Sequence, residues 1–177
     1  MSDLDARALE AFARYLSTLP EDARKLGRVV GDANLDAAVR APLCGALNYL
    51  FKSLDLIDDG IEALGFLDDA LILRVAVSQA AQAGNLPEVV SQLVSDAALV
   101  EEFLGDLWAR FERYVAGLVA GEVRGRSVET ILGDPAVQEE FLGEVSGWAH
   151  RYEPPIFLSE PKNLVKLKAF LEAKLPV

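Results

Sequence analysis

The run from Leu67 to Val77, LDDALILRVAV, constrains this chain more than any other stretch. Leu67, Ala70, Leu71, Ile72, Leu73, Val75, Ala76 and Val77 are distributed around the whole circumference of a helix. A helix that is apolar all round is buried on most sides, so other elements must wrap it. Asp68, Asp69 and Arg74 interrupt the run, which falls well short of the ~20 residues needed to span a bilayer. The reading is a central helix inside a water-soluble bundle. Asp68 and Asp69 stand in its first turn, where carboxylates favour the positive end of the helix dipole. Gly60 and Gly65 precede it and mark a compact turn, because glycine reaches backbone angles closed to other residues.

The flanking sequence supplies the wrapping. Leu4, Ala8, Phe12, Tyr15, Leu16 and Leu19 recur at three- and four-residue spacing and predict an amphipathic helix over residues 3–18. Pro20 suits the first turn of a second helix running to about Val30. Asn34 can cap a short helix through Arg40, and Pro42 restarts the chain into a helix through Ser53. Gly84 and Asn85 close the central helix. An internal similarity follows: Leu93–Tyr114 and Ile131–Tyr152 align at an offset of 38 residues, each carrying Glu-Glu-Phe-Leu-Gly and ending in Arg-Tyr. A period near 38 fits two helices per unit. In each unit an aspartate, Asp96 or Asp134, is expected to cap a long helix, spanning about 97–119 in the first and 135–152 in the second. The paired glycines Gly105 and Gly143 suggest that two helices approach closely there. Gly121 to Arg126 reads as a polar, glycine-containing connection. The expected fold is all-α: a multi-helix bundle with a central buried helix and a duplicated helical pair in the C-terminal half. Residues 1–84 and 85–177 form two parts that share one core.

Composition narrows the function. The apolar fraction of 51% is ample for a core. The net charge of −11 argues against a nucleic-acid partner, which needs basic surface. A single cysteine, Cys44, allows no internal disulfide and favours a reducing compartment. The acidic start lacks the apolar core of a signal peptide, so the expected location is cytoplasmic.

The central turn also carries a resemblance. Asp55-Leu56-Ile57-Asp58-Asp59, then Ile61, then Leu64-Gly65-Phe66-Leu67-Asp68-Asp69-Ala70 resembles the signature of the YkvA-like family, small bacterial helical proteins with a domain of unknown function. The similarity covers roughly residues 43–80. Asp58 and Glu62 stand where that family carries prolines, and Gly60 replaces an aromatic residue, so the chain resembles a divergent member. The resemblance implies a helical fold and brings no established activity. Association of some members with membranes keeps a membrane-surface role among the readings.

Three functional readings remain. The leading one is a non-catalytic module that binds a protein partner, with homo-oligomerisation as a further form of association. It rests on abundant amphipathic helices and missing catalytic groups; in the last segment Leu164, Leu167, Leu171 and Leu175 make an apolar stripe among lysines. Lys162, Lys166, Leu167, Phe170 and Leu171 are the candidate contacts there. The ordinary alternative is a terminal helix docked on its own acidic body. The second reading places that basic helix on a membrane surface. The third is a divalent-metal-dependent enzyme using Asp55, Asp59, Asp68 and Asp69, since oxygen ligands suit magnesium or calcium. Against it stand capping, turn formation and pairing with Arg74 as ordinary uses of these acids. His150 is the only histidine, which excludes multi-histidine metal sites. Cys44 and His150 could work as nucleophile and base only if the fold joined them. No phosphate loop, dinucleotide fingerprint or nucleophile elbow occurs. No catalytic residue and no cofactor is assigned.

Overall fold

A computed structural model describes residues 1–61 and 63–177; Glu62, one of the two positions that depart from the family's prolines, lies outside the described residues. The fold is all-α. Its helices are α1 (Asp3–Val30), α2 (Ala37–Tyr49), α3 (Leu67–Ala83), α4 (Ser91–Leu104), α5 (Trp108–Gly117), α6 (Val128–Gly133), α7 (Pro135–Arg151) and α8 (Pro161–Lys174). No described helix is long and apolar enough to cross a membrane.

Helix α3 is the central element. Its apolar residues from Leu67 to Val77 are fully buried, and Asp68, Asp69 and Arg74 are buried with them. α2 and α4 pack along it, with α1 and α5 closing the remaining sides. One continuous hydrophobic core draws on residues from Ala8 to Leu175, so both halves of the chain contribute to it.

Helix α1 departs from the expected pair of helices. It runs unbroken through Pro20. A proline in a helix interior lacks the N–H that would bond the carbonyl four residues back, here that of Leu16. The Tyr152 hydroxyl donates to that carbonyl at 2.8 Å. The acceptor left over by Pro20 is therefore satisfied from the far end of α7. At the start of α1, Ser2 and Asp5 form a reciprocal capping box. α2 likewise contains Pro42 rather than restarting there.

The helices of the two similar segments begin and end differently. In the second unit Asp134 caps α7 by accepting from the amides of Ala136 and Val137, and the helix continues through Gly143. In the first unit Asp96 lies inside α4 and turns its carboxylate into the core. The helix stops at Gly105, whose φ is +54°. Neither glycine is a close-approach point, because a Cβ at either would meet nothing within 4 Å. The two therefore call for opposite outcomes. Gly143→Ala should stabilise the protein by about 0.5–1 kcal/mol, the propensity gain in an open helix interior. Gly105→Ala should destabilise it by about 1–2 kcal/mol through the left-handed backbone. Urea melts of the two variants test this, and equal signs would refute it.

The connection 121–126 forms a small antiparallel hairpin, with Glu122 opposite Ser127 and Val123 opposite Arg126. Its turn residues Arg124 and Gly125 both have positive φ, as a type I′ turn requires.

Helix α8 docks on its own body. Leu167 and Leu171 are fully buried and Leu164 and Leu175 nearly so, so these two candidate partner contacts belong to the core. Lys162 and Lys166 are exposed and Phe170 is half-buried. Arg110 of α5 fastens the end of α8 by donating to the carbonyls of Glu172, Leu175 and Pro176. The side chain of Lys168 lies 4.5 Å from the Phe103 ring centre.

Candidate functional site

The turn that links α2 to α3 is held by one buried tyrosine and one buried aspartate. Tyr49, in the last turn of α2, donates its hydroxyl to Asp68 at the start of α3. The same hydroxyl accepts from the amide of Leu56 at 2.7 Å. The amide of Ile57 donates to the same Asp68 oxygen at 3.1 Å. A buried tyrosine needs a partner for its polar end, and here it supplies one to each side of the turn. Gly65 lets the chain close: a Cβ there would stand 2.5 Å from the carbonyl oxygen of Asp59. Phe66 follows at φ +65°, a conformation that costs a bulky residue about 1–2 kcal/mol. Its ring is held edge-on to Tyr152 at 5.1 Å and to Trp148 at 6.4 Å, so α7 keeps it in place.

This closure brings the acidic positions together. Asp59, Asp68 and Asp69 each offer an oxygen, and the three atoms lie within 4.8 Å of one another. Asp68 and Asp69 are 0% and 3% exposed, whereas Asp59 opens to solvent. Asp55 stands half-buried beside them. Among the described residues, Asp55 Oδ1, Asp68 Oδ1 and Asp69 Oδ2 are buried without a hydrogen-bond partner. Of the four sequence-predicted metal-ligand candidates, Asp59, Asp68 and Asp69 meet within ligand distance and Asp55 stands beside them, outside that set.

The electrostatics are unfavourable as they stand. Two carboxylate charges at this separation repel by about 3–4 kcal/mol at an effective dielectric near 20. The affinity of the acids for protons rises in response. Burial, then the Asp68 and Asp59 charges, push Asp55 up to about 7. Burial also raises Asp68 against the lowering hydrogen bonds from Tyr49 and Ile57. Asp69 is raised well above the ordinary carboxylate range by burial and by the charges of Asp68, Asp59 and Asp55. Asp59 is raised by burial and by Asp58. A cleft of about 390 Å³ adjoins this cluster at Asp59 and is lined also by Asp55, Asp58, Lys52, Phe170 and Lys174.

Arg74 is not the counter-ion of this cluster. Its guanidinium points elsewhere, donating to Asp22 of α1 at 2.9 Å and to Asp96 of α4 at 3.1 Å. It also donates to the Ala70 carbonyl and lies over the Tyr15 ring, 3.6 Å from its centre. Arg14 and Gln92 complete the shell of Asp96. Asp22 was legible as an anomaly, lying between Leu19, Ala23 and Leu26 on the apolar face of α1, whereas Asp96 reads in the sequence as a helix cap. Tyr49 and Lys52 belong to the acidic site and were missed.

Cys44 and His150 do not form a dyad. Burial pushes the Cys44 thiol up to about 12, while His150 is exposed in the last turn of α7.

Replacing Gly65 by alanine should cost about 2 kcal/mol or more, because the added carbon meets backbone rather than a movable side chain. It should also displace Asp59 from the cluster. Thermal unfolding read beside the cation response of the same variant checks both parts.

No curated protein and no solved structure matches the chain. Residues 39–74, which carry most of α2, the acidic turn and the first half of α3, match the family described as protein of unknown function (DUF1232), a partial match consistent with a divergent YkvA-like member.

Proposed function

We propose that the protein binds a divalent cation through Asp55, Asp59, Asp68 and Asp69, and that the ion fastens the turn between α2 and α3 onto the start of α3. The observation that carries this reading is the meeting of three carboxylate oxygens within 4.8 Å, with buried oxygens of Asp68 and Asp69 left without a donor. A purely structural cluster would satisfy each buried oxygen, whereas the Tyr49 hydroxyl and the Ile57 amide both serve the other oxygen of Asp68. Arg74 answers to Asp22 and Asp96 instead. The all-oxygen donor set suits a hard ion such as Mg²⁺, Ca²⁺ or Mn²⁺. Asp59, the exposed member, is the natural point of entry and exit. Binding, rather than turnover, is what this arrangement supports.

The candidate contacts Leu167 and Leu171 lie on the apolar stripe of α8, which the protein's own core occupies; the acidic cluster is the better supported site.

Thermal unfolding at pH 7.5 in EDTA, then with each of the three ions, tests the proposal. An ion that binds only the folded state at a hundred times its Kd adds about 2.7 kcal/mol, roughly 5–10 °C for a chain of this size. The rise should vanish in Asp69→Asn. It should also weaken at pH 5.5, where protons compete for the ligands. Absence of any rise with all three ions would reject the reading.

A further inference from the structure

We propose that a second groove, beside α5 and sharing Lys52 with the cleft at the acidic cluster, binds a small organic anion: a carboxylate or phosphate ester carried on an apolar body. The groove encloses about 380 Å³, within the range of small-molecule sites, and no carboxylate side chain lines it. Lys52, Arg110 and Arg113 line it together with Tyr114, in a chain whose net charge is −11. Among the described residues none of these three cations lies within ion-pair distance of a carboxylate, although Lys52 also faces the neighbouring cleft that Asp55 lines.

Two of the cations are positioned in advance. Lys52 donates to the Tyr114 hydroxyl at 2.9 Å and lies 5.6 and 5.4 Å from the ring centres of Tyr49 and Tyr114. Arg110 is fixed through Nε and Nη2 by carbonyls at the end of α8, and its Nη1 makes no hydrogen bond among the described residues. Arg113 is exposed and engaged by neither device. Three like charges around one concavity repel each other, and an anion placed between them reverses the sign of every one of those interactions. Fixed donors around a charge-bearing group are the arrangement that makes charge-assisted hydrogen bonds strong. The remaining wall, from Gly117, Leu118 and Pro176, is mostly apolar, which is why the ligand class includes an apolar body rather than a bare inorganic ion. This inference does not depend on cation binding at the acidic cluster.

Calorimetric titration of the full chain with phenyl phosphate and with hexanoate tests it, with inorganic phosphate as the control that has no apolar body. Saturable binding of at least one organic anion is expected, tighter than that of inorganic phosphate. The stronger of the two tells whether the head group is phosphate or carboxylate. Arg113→Glu, an exposed change that leaves the core intact, should weaken it about tenfold or more. Gly117→Leu should block it without touching charge. Gly117 has helical backbone angles, φ −66° and ψ −20°, and open space where a side chain would stand. Circular dichroism of both variants should match the wild type. Failure of both organic anions to saturate, or binding that survives both substitutions, would overturn the proposal.

Discussion

Arg74→Ala is expected to destabilise the protein by about 3–5 kcal/mol, the cost of breaking a buried charge network from one side. The guanidinium is 1% exposed and touches helices α1 and α4 at once through Asp22 and Asp96. Its removal leaves two buried carboxylates facing one another across the space it filled. Arg14 still reaches Asp96 at 2.8 Å but is itself half-exposed and cannot serve Asp22 as well. Arg74→Lys keeps the charge and loses the fork that serves both acids, so it should fall between alanine and wild type. Urea melts of the three proteins measure the series, and an alanine cost below about 1 kcal/mol would mean that the pairs merely offset their own desolvation. The network also sets the acid limb. Burial opposes ionisation of Asp96, yet the hydrogen bonds from Arg14 and Gln92 and the charge of Arg74 hold it below the ordinary carboxylate value. A depressed carboxylate contributes stability above its unfolded value of 3.8 and loses it as pH falls further.

At the acidic cluster the sign is reversed, and this gives the second large effect. A carboxylate whose folded pKa is raised leaves stability undiminished below the unfolded value. It then lowers stability as pH climbs through the folded one. Asp55, Asp68 and Asp69 are all raised, Asp55 to about 7. In EDTA the wild type should therefore be most stable near pH 4–5 and lose stability steadily towards pH 8. Asp69→Asn removes the most deeply buried of these charges. It should raise the melting temperature at pH 8 by several degrees, each 1 kcal/mol being about 2–4 °C at this chain length. It should leave the value at pH 4.5 nearly unchanged. The same substitution abolishes the expected response to divalent ions, so a single variant becomes more stable without metal and less stabilised by it. A flat pH profile for the wild type in EDTA would contradict the cluster's electrostatics.

The parts of this fold that were legible in the sequence are those decided by local pattern. The burial of α3 follows from Leu67 to Val77 being apolar on every side, and the cap of α7 follows from Asp134 before a proline. Features decided by distant partners were not legible. Pro20 argued for a helix start because nothing nearby showed that Tyr152 would bond the carbonyl of Leu16. How the helices of the two similar segments end was not legible, because the shared Glu-Glu-Phe-Leu-Gly motif fits both a helix end and a helix interior. Only packing chose a positive φ at Gly105 and a helical one at Gly143. At the site, the four aspartates were visible as positions. Their convergence depends on the close passage of Gly65 over the Asp59 carbonyl and on the Tyr49 hydroxyl. Arg74 was assigned to its sequence neighbours, whereas its side chain reaches two acids brought in by other helices.

The hydroxyl of Tyr152 and the carbonyl of Leu16 are separated by 136 residues. In a chain still being made, the Leu16 carbonyl has only water as its donor until α7 is also in place. The first helix therefore has no finished form of its own. Contacts this remote delay folding and make its completion collective, since the last tie can form only when the intervening helices are in place. The matched segment at residues 39–74 is likewise only an inner slice of this assembly, covered by helices that lie outside it. Cut from them, it would expose the apolar circumference of α3 to water.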